Sequence, residues 1–228
     1  MNTWHVKDVM TADVVSAHPD TPYRQLVNLM TGRRINALPV VDDDRHVLGV
    51  VSKSDLLQKI EYGGAEEPHW YERRQRAQWR KAVGLTAAEL MTAPAVVALA
   101  RTGVRAAALR MEEAGVKQLP VEDSLGRLVG MVSRGDLLKE HLRPDTAILA
   151  DARTAIDEVL LTENVAEVSA VAADGVVTLT GHTERWSSAA LTVRTVRLVP
   201  GVVDVVDRIT FAYDDHHLAD PAPAYFIA

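Results

Sequence analysis

Gly49-Val50-Val51-Ser52-Lys53-Ser54-Asp55-Leu56-Leu57 decides the reading of this chain, because it returns 81 residues later as Gly130-Met131-Val132-Ser133-Arg134-Gly135-Asp136-Leu137-Leu138. The apolar, partly β-branched run suits a buried strand. The Ser-x-x-Asp that follows sets a hydroxyl and a carboxylate where a helix begins. Working outward, Leu38-Pro39-Val40 returns as Leu119-Pro120-Val121, and Val9-Met10-Thr11 returns as Leu90-Met91-Thr92, all at the same offset and without a gap. Three landmarks repeated in order at one spacing mark an internal duplication.

Each copy predicts the order strand, helix, strand, strand, helix. Val14-Val15 (Val96-Val97 in the second copy) is a short extended segment. Asp20-Thr21-Pro22 opens a helix with a capping residue and a proline near the first turn, and Leu26, Leu29 and Met30 have helical spacing. Ala37 to Val41 and Val47 to Val51 read as strands around the polar turn Asp42 to Arg45, and Asp55 to Ile60 starts a closing helix. Pro39 and Pro120 are expected where strand pairing ends at an edge. Between the copies, Glu61 to Gly84 carries Trp70, Tyr71 and Trp79 among Arg73, Arg74, Arg76, Arg80 and Lys81, with good helix formers from Glu72 to Val83. A covering helix with solvated arginines is the expectation; a lid or anion-steering element beside a cleft is the alternative.

From about Asp145 the composition shifts. Ile148 to Leu161 has helical spacing, Val165 to Val171 and Val176 to Thr180 alternate around Asp174-Gly175, and Glu184 to Leu198 presents one apolar helical face before Pro200-Gly201. Val202 to Phe211 alternates as a strand. The order is helix, hairpin, helix, strand, so the fold class predicted for the whole chain is α+β.

Composition narrows the function. The 228 residues include no cysteine, which excludes disulfides, thiolate metal sites and cysteine nucleophiles. The eight histidines are scattered, and none lies at motif spacing from Ser52 or Ser133. No catalytic and no metal-binding residue is assigned, and the chain is read as a non-enzyme. His216-His217 beside Asp214-Asp215 reads as a solvated acidic tail spanning 214–228, expected to be flexible. The first ten residues have no apolar run and no stretch is long enough to span a bilayer, so a cytoplasmic protein is expected. Residues 145–228 hold five arginines, no lysine and 13 acidic residues, a net charge of −8, against +2 for the remainder. Such a module repels nucleic acid and anionic lipid.

The duplicated pattern resembles the CBS domain family, through Val9-Met10-Thr11, Leu38-Pro39-Val40 and Gly49 to Asp55, each present twice. The resemblance covers 6–60 and 86–142, with 61–85 as a helical linker. It implies that the two repeats pack as one pseudo-symmetric module, that modules pair into a homodimer, and that the aspartate of the Ser-x-x-Asp segment binds a ribose. That role passes to Asp55 and Asp136, and the hydroxyl role to Ser52 and Ser133. Chemically the assignment is sound, since a carboxylate accepts from two neighbouring hydroxyls and a helix start suits phosphate. Lys53 and Arg134 follow directly and can meet phosphate charge. The adenine ring would lie by Ile35-Asn36-Ala37 and by Val116-Lys117-Gln118, which makes Ala37 and Gln118 candidate contacts and the two sites unequal. Equally, Ser54 or Asp55 could serve only to cap the closing helix. The segments Asp174 to Gly181 and Val199 to Val205 resemble a BON domain over 146–213, a family associated with membrane and phospholipid contact; here the acidic charge argues for protein contact.

The expected function is that of a regulatory sensor taking AMP, ADP, ATP, NAD or S-adenosylmethionine between the CBS repeats and signalling to the BON domain or an effector protein. A ligand-independent dimeric scaffold, or stress-associated protein, and a membrane-peripheral adaptor are the alternatives.

Overall fold

A computed structural model of the chain describes residues 4–62, 73–163 and 167–216. The chain divides into two compact units: one runs from His5 to Leu137, the other from Leu138 onward and takes in Trp4. The first unit opens with a single helical turn, α1 (Val6–Val9), followed by α2 (Tyr23–Gly32), β1 (Ala37–Val41), β2 (Val47–Ser52) and α3 (Lys53–Glu61). α4 (Arg73–Val83) leads to the second copy, made of α5 (Ala87–Leu90), β3 (Ala98–Leu99), α6 (Val104–Glu113), β4 (Gln118–Glu122), β5 (Leu128–Ser133) and α7 (Arg134–Leu137). In the second unit a 3₁₀ turn, Leu138–Leu142, precedes α8 (Asp145–Glu163), β6 (Val168–Ala173), β7 (Val176–Arg185), α9 (Trp186–Arg197) and β8 (Asp204–Tyr213). Helices and strands are mixed in both units, consistent with the α+β prediction. Trp70 and Tyr71 lie outside the described residues.

The duplication holds down to register. β1 and β2 pair antiparallel from Ala37↔Ser52 with a shift at Val40/Val41; β4 and β5 pair from Gln118↔Ser133 with the shift at the equivalent Val121/Glu122. Leu38, Val40 and Val51, like Leu119, Val121 and Val132, are completely buried. In the first copy they join Leu26, Met30, Leu56 and Leu90 in one core. Helices α2 and α6 each end two residues before a left-handed position, which the first copy fills with Arg34 (φ 54°) and the second with Gly115 (φ 64°).

Two expectations are corrected. The opening extended segment pairs later than Val14-Val15 or Val96-Val97: Ala17 bridges Val40, and Ala98 pairs with Val121, both parallel. The Ala17 N–H donates to Pro39 and its carbonyl accepts from Val41. Both alanines are buried to 2% exposure or less, and the small side chain lets the segment close on the strand edge. Pro39 does not end pairing either. It sits in mid-strand opposite Val50, with its nitrogen on the edge that Ala17 meets only through the proline carbonyl, so no ladder donor is missed.

The two copies are laced together by exchange. Thr92, from the opening of the second copy, trades both backbone hydrogen bonds with Val50 of β2, at 2.9 and 3.1 Å; Thr11 trades both with Met131 of β5, at 2.9 Å each. A methionine crosses with each threonine. A Cβ on Gly49 would lie 2.6 Å from Met91 Sδ and 2.9 Å from the Thr92 carbonyl, and one on Gly130 would collide with Met10 Sδ. The glycines repeat because the partner repeat's methionine occupies their side-chain space, not because a ligand backbone approaches there.

In the second unit, Asp174 (φ 53°) and Gly175 (φ 75°) form the two-residue left-handed turn expected of the hairpin. Asp145, at the start of α8, accepts from both their N–H groups at 2.9 and 2.8 Å. β8 lies parallel to β7 from Val176↔Asp204 to Arg185↔Tyr213, and both helices bury Ile148, Ala152, Ile156, Ala189, Val193 and Val196 against one sheet face. The flexible tail expected from residue 214 does not begin there. Asp215 is 5% exposed and caps α9 from a distance, accepting from Ser187 N at 2.8 Å and Ser187 Oγ at 2.7 Å. Residues 217–228 lie outside the described region.

Gly49→Ala and Gly130→Ala should each lower stability by about 1–3 kcal/mol through overpacking. Gly135→Ala, where an added Cβ meets only Ser133 Oγ at 3.7 Å, should be neutral; urea midpoints check all three. The Ser187 hydroxyl and N–H hold the Asp215 carboxyl below its ordinary value. A depressed folded pKa means that its stabilisation is complete above the ordinary aspartate value of about 3.9 and fades as pH falls through the folded value. The stability gap between wild type and Asp215→Ala should therefore be full at pH 7 and shrink below about pH 4.

Candidate functional site

Both copies end their second strand in the same small machine. Ser52 closes β2 and is the N-cap of α3. Its N–H and Oγ both donate to Asp55 Oδ2, at 2.8 and 2.6 Å, and its Oγ accepts from Asp55 N at 3.3 Å. In the second copy the Ser133 N–H and Oγ donate to Asp136 Oδ2 at 2.9 and 2.6 Å, and Asp136 N returns a bond of 3.2 Å. This is a reciprocal capping box with aspartate in the third helical position. The capping expectation is therefore right in kind and misplaced in residue: Ser52 is the cap, not Ser54 or Asp55.

The copies differ beyond the box. Asp55 is 7% exposed, and its remaining oxygen, Oδ1, accepts from Lys81 Nζ at 2.5 Å. The same ammonium donates to Thr92 Oγ1 at 2.7 Å. Lys81 lies in the last turn of α4, the helix expected only to cover the module. Asp136 is half-buried.

A cleft of about 790 Å³ opens between the repeats. The first copy contributes Asn36 and Ala37 at the start of β1, then Val50 and Ser52 through Asp55; the second contributes Val116 through Gln118 and Ser133 through Gly135. Of the predicted residues, Ala37, Ser52, Lys53, Asp55, Gln118, Ser133 and Arg134 face this one space, while Asp136 lies outside its lining. Lys53 Nζ donates to Asn36 Oδ1 at 2.9 Å, and Arg134 reaches Glu112 at 3.2 Å on an exposed surface. One wall went unforeseen: Thr92 and Pro94 to Val96 line the cleft, whereas the equivalent residues 11–15 of the first copy do not. The repeat of Met10-Thr11 as Met91-Thr92 was the available signal, but only the exchange between copies brings that segment to the other's serine and aspartate. Lys81 was visible only as one cation among many. Among the described residues no cluster of histidine and carboxylate could hold a metal ion, and no helix is long and apolar enough to cross a membrane.

The model of the CBS domain matches residues 6–62 and 87–143, and that of the BON domain matches residues 145–213. The chain belongs to the CBS domain family. It carries a BON domain after its CBS pair. Among curated relatives, the chloroplastic CBS domain-containing protein CBSX1 of Arabidopsis thaliana is 29% identical over 143 residues, 58% of this chain and 60% of that protein. Inosine-5'-monophosphate dehydrogenase of Mycobacterium tuberculosis is 28% identical over 148 residues, which are 64% of this chain and only 24% of the enzyme, its CBS portion. The chain thus spans less than two thirds of these relatives. Among solved structures, that of CBSX2 in complex with AMP superposes with a TM-score of 0.55 and 29% identity, covering 61% of this chain and 97% of that one.

Ser52→Ala and Ser133→Ala remove the cap and one of the carboxylate's two donors, the hydroxyl, while the backbone N–H stays in place. Each should cost about 1 kcal/mol, within the range of 0.5–2 for capping residues, and the measurement is again a denaturant midpoint.

Proposed function

We propose that the CBS pair is a regulatory module that binds an adenine nucleotide in the cleft between its repeats and acts by binding rather than by catalysis. The observation that carries this reading is the cleft itself: one open space brings together both serines of the duplicated boxes, the Asp55 carboxylate, and the starts of β1 and β4. Asp55 would take ribose hydroxyls; Lys53, Arg134 and the N-terminal N–H groups of α3 would face phosphate. Ala37 and Gln118 would flank the base on unlike walls, and Asp136 with Ser133 would form the second, unequal site. AMP is the first ligand to test, because the CBSX2 structure that this chain resembles holds it; ADP, ATP, NAD and S-adenosylmethionine follow.

The assembled form would be a homodimer. Leu57 and Ile60, 49% and 75% exposed on α3, offer an apolar surface for a second module. The BON domain would relay occupancy to an effector protein, since its negative charge opposes anionic lipid.

A second reading draws on a specific observation. Ser52 and Asp55 satisfy each other, and Lys81 takes the remaining oxygen, so the constellation is complete without a ligand, as a constitutive scaffold would have it. One experiment separates the two. Full-length protein is heated with each nucleotide alongside Asp55→Asn and Asp136→Asn, substitutions that keep a capping oxygen. Ligand at one hundred times its dissociation constant should stabilise the wild type by about 2.7 kcal/mol, and the two variants should lose unequal parts of that response. A wild type indifferent to all five ligands establishes the scaffold instead.

A further inference from the structure

Lys81, which holds the cleft residues Asp55 and Thr92 from α4, is given no task by the nucleotide reading. Its side chain is 22% exposed and that of Asp55 10%, so their contact is largely withdrawn from water. Asp55 Oδ2 already accepts twice from Ser52, and Lys81 takes one position on Oδ1. A carboxylate offers about four acceptor positions. A vicinal ribose diol needs two of them, and one remains.

We propose that Lys81 is a built-in competitor for the ribose carboxylate: it holds Asp55 when the cleft is empty, and a nucleotide must expel it to bind. The proposal rests on the nucleotide reading above and adds a regulatory consequence. Lys81 is anchored at two points of the cleft, Asp55 Oδ1 and Thr92 Oγ1, one from each repeat. It belongs to the helix that joins the repeats. That helix also packs along α3, buries Ala82 and accepts at Gln78 Oε1 from Tyr62 Oη at 2.9 Å, and beyond its end the Leu85 carbonyl accepts from Tyr23 N at 2.8 Å. Expelling the ammonium removes the tie between α4 and the cleft. Occupancy and the docking of α4 are thereby coupled, and the coupling is reciprocal: whatever draws α4 away opens the site, and whatever fills the site releases α4.

Calorimetric titration of the full chain with adenosine, AMP and ATP tests this in wild type, Lys81→Met and Thr92→Val, with ligand-free melting as the folding control. Lys81→Met should bind all three ligands more tightly, by about 5- to 150-fold, the usual span of such couplings. Thr92→Val, which weakens the hold on the ammonium but leaves Asp55 paired, should shift affinity less and in the same direction. Hydrogen exchange in the α4 amides of wild type should quicken when AMP is added. A Lys81→Met variant that loses AMP and ATP but keeps adenosine would make Lys81 a phosphate ligand and overturn the proposal. Equal affinities in wild type and variant overturn it while leaving the nucleotide reading intact. If wild type and both variants all ignore the three ligands, the nucleotide reading falls and takes this one with it. Should Lys81→Met fail to fold, Thr92→Val and the exchange experiment decide: no gain in affinity and no change in α4 overturn the proposal.

Discussion

The exchange of Met-Thr segments between the two CBS repeats is the constraint on which the first unit depends. Each repeat offers a strand with a glycine where a side chain should be, and the other lays a methionine across that gap while its threonine completes the strand's hydrogen bonds. Neither copy satisfies β2 or β5 from its own residues. The unit of folding is therefore the pair, as expected for repeats that cannot close a core alone. The same crossing builds the cleft, because it carries Thr92 and the residues after it from one copy to the serine and aspartate of the other.

Capping and ligand binding are not rival uses of the Ser-x-x-Asp segment. The serine takes one carboxylate oxygen, fixes the side chain's rotamer and leaves the other oxygen available to what lies beyond the helix start. A group held in advance by such bonds loses less freedom when it binds. In the first copy Lys81 shows the arrangement in use: the second oxygen reaches a cation supplied from outside the box. Gly49 and Gly130 belong to the packing, while Ser52, Asp55 and Ser133 stand at the edge of the open space.

The order of elements was legible because it rests on local rules. Strand β1 begins and ends where its apolar run does, and the Asp174-Gly175 hairpin follows from two residues that tolerate positive φ. Most of the cleft was legible as well, through the duplicated serine and the residues before β1 and β4. What escaped depends on contacts distant in sequence. Ala17 pairs in place of Val14-Val15 because a small residue fits the strand edge, a fact about the edge rather than the segment. Asp215 caps α9 across 28 residues, and its composition reads as tail. Lys81 stands in a run of basic residues whose charge is uninformative until the fold chooses which one faces a carboxylate.

Set side by side, the two copies separate what the fold needs from what the cleft does. The landmark positions shared by both copies serve packing or capping: the methionine and threonine that cross, the glycine beneath, the Leu-Pro-Val strand, the serine and aspartate of the box. Even the left-handed residue after α2 and α6 keeps its backbone while its side chain changes from Arg34 to Gly115. Around the cleft the copies diverge. Asn36 stands against Lys117, Ala37 against Gln118, Ser54 against Gly135, and Pro94 against Asp13 of the first copy. A duplicated scaffold has kept its frame and varied its walls. The cleft therefore joins two halves alike in backbone and unlike in charge and size, and its asymmetry lies in the unlike residues, not in the repeated motif.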